Sequence, residues 1–142
     1  MSCDPKTACN EMNALVAQVM ATMPEVLIQW QGKGSEEPPA MDKKWIRVYI
    51  IHANGSQASL SDERGKKKWN RNGSLIIQCF APQDDGGLDA ARNIAIALQS
   101  GIQSEQTNGG VWFRNVGIRE AGRTQHWQQV NMNATFTYES IN

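Results

Sequence analysis

The stretch Trp127–Ser140, WQQVNMNATFTYES, decides how the rest of the chain is read. Val130, Met132, Ala134, Phe136 and Tyr138 fall on one parity, and Gln129, Asn131, Asn133, Thr135 and Thr137 on the other. Alternation with a period of two marks a strand with one buried face. The other face is a row of five amide and hydroxyl side chains with no charge among them. Strands that face water usually carry Lys or Glu, which also deter unwanted pairing. Amides and hydroxyls cost less to desolvate than charges, and they pair with a neighbour's backbone or amides. The row suits contact with another protein copy, or else it is an ordinary solvent face.

Working outward, GRTQ turns the chain back into a preceding strand, TNGGVWFRNVGIREAG, so the last two strands form an antiparallel hairpin. Apolar parity in that strand shifts from Val111 and Phe113 to Val116 and Ile118, which places a bulge near Arg114-Asn115. Before it, Leu88, Ala91, Ala95, Leu98 and Ile102 recur at spacings of three and four, a helical stripe. Asp85 or a neighbour is expected to cap its start, and Gly101 lies near its end. SLIIQCFAP is a further strand stopped by Pro82, and KKWIRVYIIHA another. In the latter, Ile46, Val48 and Ile50 alternate with Trp45, Arg47, Tyr49 and Ile51, so both faces call for cover.

EVLIQWQG reads as a short strand, and KGSEEPPAMDK as a loop that has no way to bury itself. NGSQASLSDERGKKKWNRNG is polar and is expected to project, ending in a turn at Asn72-Gly73. At the N-terminus, Asp4 and Pro5 open a helix whose stripe is Ala8, Met12, Leu15, Val16 and Val19. The order helix, three strands, helix, two strands predicts an α+β fold: a mainly antiparallel sheet of about five strands with both helices packed on one face. The whole chain, 1–142, reads as a single domain with one core.

Composition narrows the function classes. Fourteen basic and fourteen acidic residues give a formal net charge of zero, against the basic balance expected of a general nucleic-acid binder. Cys3, Cys9 and Cys79 are odd in number and form no CxxC pair, which fits a reducing cytosol better than a disulfide framework or a zinc site. MSCDPKTACN lacks the basic-then-apolar pattern of a signal peptide, and no apolar run approaches the ~20 residues that cross a bilayer. A soluble intracellular protein without membrane partners is the expectation.

No catalytic or metal-ligating constellation stands out. His52 and His126 sit in unrelated contexts, where surface or half-buried polar roles are the ordinary reading. Cys79 shares the parity of core-facing residues and reads as an inert buried thiol. No GxSxG, HExxH, P-loop or GxGxxG motif is present. No enzyme activity and no cofactor are expected. The run RGKKKWNR is richer: Arg64, Lys66, Lys67, Lys68 and Arg71 surround Trp69, a pattern able to grip phosphates and stack a base. It supports an alternative reading as a small nucleic-acid-binding module, against a solvated or partner-facing loop.

Across RNGSLIIQCFAP, GGVWFRNVGIREAG and WQQVNMNATFTYES, the chain resembles the tail-terminator (tail-completion) proteins of long-tailed bacteriophages, the lambda-type minor tail proteins. The resemblance is best from Trp69 to Tyr138, and its most telling pieces are Gly110–Val116 and Trp127–Asn131. It implies a structural assembly protein of the virion neck, made in the host cytoplasm. Such a protein forms a homo-oligomeric, six-membered ring that ends tail-tube growth and offers a surface to head-completion or connector proteins. DNA would meet it only by passing through the channel. A ring of identical copies needs two different adhesive surfaces per subunit. The candidates are the strand around Tyr49 and the amide face of Gln129, Asn131 and Asn133. Arg114 and Asn115 at the bulge are further interface candidates, and Arg114 is expected to be aimed at a neighbour or held in an internal ion pair. Lys66, Lys67, Lys68, Trp69 and Arg71 are expected to face the tube, the connector or the channel.

Overall fold

A computed structural model describes residues 2–32, 39–40, 42–53, 56–57 (backbone), 68–84, 86–123 and 126–141. Helix α1, Pro5–Met20, starts where the sequence says it should: the Thr7 N–H donates to Asp4 Oδ1 at 2.7 Å, and Pro5 fills the first helical turn. It buries Ala8, Met12, Val16 and Met20. Strand β1, Leu27–Trp30, and strand β2, Trp45–His52, follow as a parallel pair. Two residues, Ser56–Gln57, form β3. Then come β4, Lys68–Pro82, helix α2, Gly87–Ile102, β5, Trp112–Arg123, and β6, Trp127–Ile141.

The sheet runs β1-β2-β4-β6-β5, with β3 paired to β4, and every pairing except β1–β2 is antiparallel. Helix α2 lies over β4, β5 and β6, and α1 packs beside α2. Both helices cover one side of the sheet, as the α+β reading requires. The covered parity of β6 is buried throughout: Val130, Met132, Phe136 and Tyr138 are 0 % exposed and Ala134 3 %. They join Ile46, Val48, Leu75, Ile77, Cys79 and the helix stripes in one core. No helix among the described residues is long and apolar enough to cross a membrane.

One local expectation is corrected. Asn72-Gly73 is not a turn; it lies inside β4, where Asn72 pairs with Thr137, and Gly73 with His52 and Phe136. The glycine is there for close approach: a Cβ on Gly73 would lie 2.1 Å from the Ile51 carbonyl oxygen and 2.6 Å from Phe136 Cζ. Gly101 lies in the last turn of α2, as expected, and a Cβ there would lie 2.4 Å from Val19 Cγ2, so it sets the α1–α2 spacing. At the start of α2 the cap is Gly86 in the left-handed region, φ 89°, with no side-chain cap bond. Asp85, the expected cap, lies outside the described residues.

The bulge read from the parity shift is present. Register breaks between Arg114 and Gly117, and Asn115 takes φ 53°, a conformation its side chain tolerates. A second break, between Glu120 and Gly122, had no apolar residues to announce it.

Gly73→Ala pushes a methyl against backbone that cannot retreat, and is expected to cost about 3 kcal/mol or more in urea denaturation. Gly101→Ala meets a side chain that can move, and about 1–2 kcal/mol is expected. Equal costs at the two sites would contradict this assignment of rigid and yielding neighbours.

Candidate functional site

The side of the sheet away from the helices is built by the opposite parity of the same strands. Cross-strand register sets its rows. Tyr49, Ile76, Asn133 and Gly117 form one row; Arg47, Gln78, Asn131 and Arg119 form the next. Ile51, Ser74, Thr135 and Arg114 form a third, and Asn72, Thr137 and Trp112 lie beyond it. The two candidate surfaces, Tyr49 on β2 and the amide row on β6, are therefore one surface. That corrects the expectation of two separate faces: β4 sits between β2 and β6 and carries the same parity through all three. A head-to-tail ring needs its second surface elsewhere on the subunit.

One end of this open face is closed. Trp45 stacks on Phe80 with ring centroids 4.2 Å apart and meets Trp127 edge-on at 5.5 Å. Trp127 Nε1 donates to the Lys43 carbonyl at 3.2 Å. The Arg47 guanidinium lies 4.9 Å over the Trp45 ring, and its Nε donates to Gln29 Oε1 at 2.9 Å. The charge nearest the aromatic cluster is thus held in place. Beyond it the amides are half-buried, and Gln129 Nε2 donates to Asn131 Oδ1 at 2.9 Å. Gln78 Oε1, Thr137 Oγ1 and Trp45 Nε1 are buried without a hydrogen-bond partner among the described residues. Arg114, Asn115 and Arg119 are exposed. No ion pair of Arg114 occurs among the described residues, so the internal salt bridge weighed from sequence is not formed there.

The basic segment divides. Lys66 and Lys67 lie outside the described residues. Lys68, Trp69 and Arg71 belong to β4 rather than to a loop, which corrects that part of the sequence reading. The reason is that β6 is long enough to pair with them, at Ile141, Ser140 and Tyr138. Trp69 and Arg71 have the helix-side parity. Arg71 Nε donates to Ser140 Oγ at 3.0 Å, and its guanidinium lies 5.3 Å over Trp69. Lys68 pairs with Glu139 at 3.6 Å.

Among the described residues, no three His, Cys, Asp or Glu side chains gather as a metal-binding group. Cys79 is fully buried, and desolvation pushes its thiol far above the usual range, which fits the inert role. His52 Nε2 is 2.6 Å from the Tyr138 hydroxyl, and the ring stands edge-on to Phe136. Sequence reading set Ile51 on the parity of Tyr49 but missed Trp112 and Arg119 as members of the open face; strand parity alone could have found them once the register was known.

The chain matches no protein-family model and no curated protein. Solved structures do share its fold. One, whose name describes no function, aligns over 95 % of both chains with a TM-score of 0.70 and 18 % identity. Another is a chain of the virion of a native gene transfer agent particle, aligned over 93 % of this chain and 97 % of that one, with a TM-score of 0.53 and 14 % identity. At such identities the likeness shows the fold.

Burial, and then the Arg71 charge, hold the His52 imidazole below its ordinary range. The unfolded chain therefore takes up a proton near pH 6.5 that the folded chain refuses. The His52 contribution to stability is full above that pH and is lost as pH falls below it. His52→Gln is expected to flatten the fall in urea midpoint between roughly pH 6.5 and 5. A variant that parallels the wild type through that window would contradict the assignment.

Proposed function

We propose that this chain is a structural subunit of a phage-like virion, a tail terminator that closes the head-proximal end of a tail tube as a homo-oligomeric ring. The observation that carries this reading is the fold shared, over nearly the whole chain, with a component of the gene transfer agent virion. The open face supports it. A sheet face of amides, hydroxyls and aromatics that neither helix covers can be buried against protein without stranding carboxylates. The proposed partners are further copies of the chain, the tube protein beneath and the head-completion protein above, with DNA passing through the ring. The proposed location is the neck of the virion, after assembly in the host cytoplasm.

The nucleic-acid reading is less favoured, because Trp69 and Arg71 are engaged with each other and with Ser140 in β4.

Light scattering with negative-stain images of the same sample tests the reading. A ring of six copies of 15.8 kDa, with a central hole, is the expected result. A monomer that ignores purified tail tubes but binds DNA in a salt-steep manner would sink it. Asn131→Lys with Asn133→Lys places two charges in the amide row and is expected to abolish rings while leaving the free energy of unfolding in urea within about 0.5 kcal/mol of wild type. A double variant that still assembles would refute the role of this face.

A further inference from the structure

The proposed ring requires a second surface, and the charges show where it lies. Apart from Arg47, which Gln29 holds, the central rows of the open face carry Arg114 and Arg119 and no carboxylate. A two-fold contact that lays β5 on β5 would set arginine against arginine. The face needs an acidic partner surface with a place for its apolar side chains, of which Trp112, 40 % exposed and two residues from Arg114, is the largest.

The helix side of the molecule carries such a surface. Two depressions of about 300 and 320 Å³ adjoin along α1, the end of α2 and the turn after it, sharing Leu15, Gln18 and Glu105. Val19, Ala97 and Gly101 give the second an apolar floor. At the rim, both carboxylate oxygens of Glu11 accept from the Gly109 N–H, at 2.9 and 3.0 Å, so its position is fixed. Glu105 is exposed, and no ion pair of it occurs among the described residues.

The geometry points to a head-to-tail contact between copies in which the open sheet face of one seats on the α1–α2 groove of the next. Trp112 enters the groove over Leu15 and Ala97, and Arg114 meets Glu105. The open face and the groove belong to different layers of the subunit, sheet and helices, and come nearest where Trp112 is bridged to Gln106 at the groove's rim; in the proposed ring each copy engages one neighbour through each layer. A Trp side chain filling an apolar pocket, ringed by polar contacts, is the usual form of an interface hot spot. This inference rests on the ring reading above.

The test uses the full chain and exploits the asymmetry of the contact. Arg114→Glu and Glu105→Arg are each expected to lose rings in light scattering, while circular dichroism and the urea midpoint stay at wild-type values. Mixed in equal amounts, they are expected to regain rings of the wild-type mass. Each reversed face then meets a reversed groove, and each native groove a native face, in alternation around an even-membered ring. Trp112→Ala, which carries no charge change, is expected to lose rings and not to be rescued by either partner. Rings that persist in both charge variants, or single variants that mixing fails to restore, overturn this pairing but leave the ring reading standing. A wild-type chain that forms no ring, alone or on tail tubes, overturns both.

Discussion

The ladder between β4 and β6 is the constraint on which the rest of the structure depends. It pairs fifteen consecutive positions, from Lys68 with Ile141 to Pro82 with Trp127, a length of roughly 50 Å at the usual rise per residue. Strands β2 and β5 attach to its two sides, and α2 lies across it. Because side chains alternate, this one register decides what every neighbour meets. A slip by a single residue would turn Gln129, Asn131 and Asn133 toward the helices and set Val130, Met132 and Phe136 against solvent. The core enforces the register as firmly as the hydrogen bonds do, and the ladder runs unbroken past Gly73 because that residue has no side chain to collide with β2 or Phe136.

Much of this was legible in the residues. Alternation in Trp127–Ser140 assigned both faces of β6 correctly, and Asp4-Pro5 marked the start of α1. The bulge at Arg114 could be seen because apolar residues lie on both sides of it and change parity across it. Where such markers were absent, local signals misled. Asn-Gly is a turn signal in isolation, but here two partner strands satisfy its backbone groups and the glycine relieves a contact between strands distant in sequence. The packing role of Gly101 was hidden for a related reason, since it is set by Val19, far away in the chain.

The candidate site was legible residue by residue but not as a surface. Tyr49 and Asn133 could each be singled out from their own strand, yet only the register through Ile76 shows that they share a row. Charge behaved likewise. A formal net charge of zero says nothing about distribution, and the fold sorts it: arginines occupy the central rows of the open face, while Glu11 and Glu105 stand on the helix side. Where individual charges stand is a property of tertiary placement that composition cannot carry.

The two outer strands of the sheet have a consequence for solubility. Strand β1 is only four residues long, and β5 is broken twice in register, with Asn115 and Gly122 both at positive φ. A regular edge presents evenly spaced amides and carbonyls that template the addition of further strands, the first step toward fibrils. Here neither margin offers such a template for long. In the proposed ring, adhesion between identical copies would carry the hazard of runaway polymerisation, and these short and crooked margins would leave it to the broad surfaces.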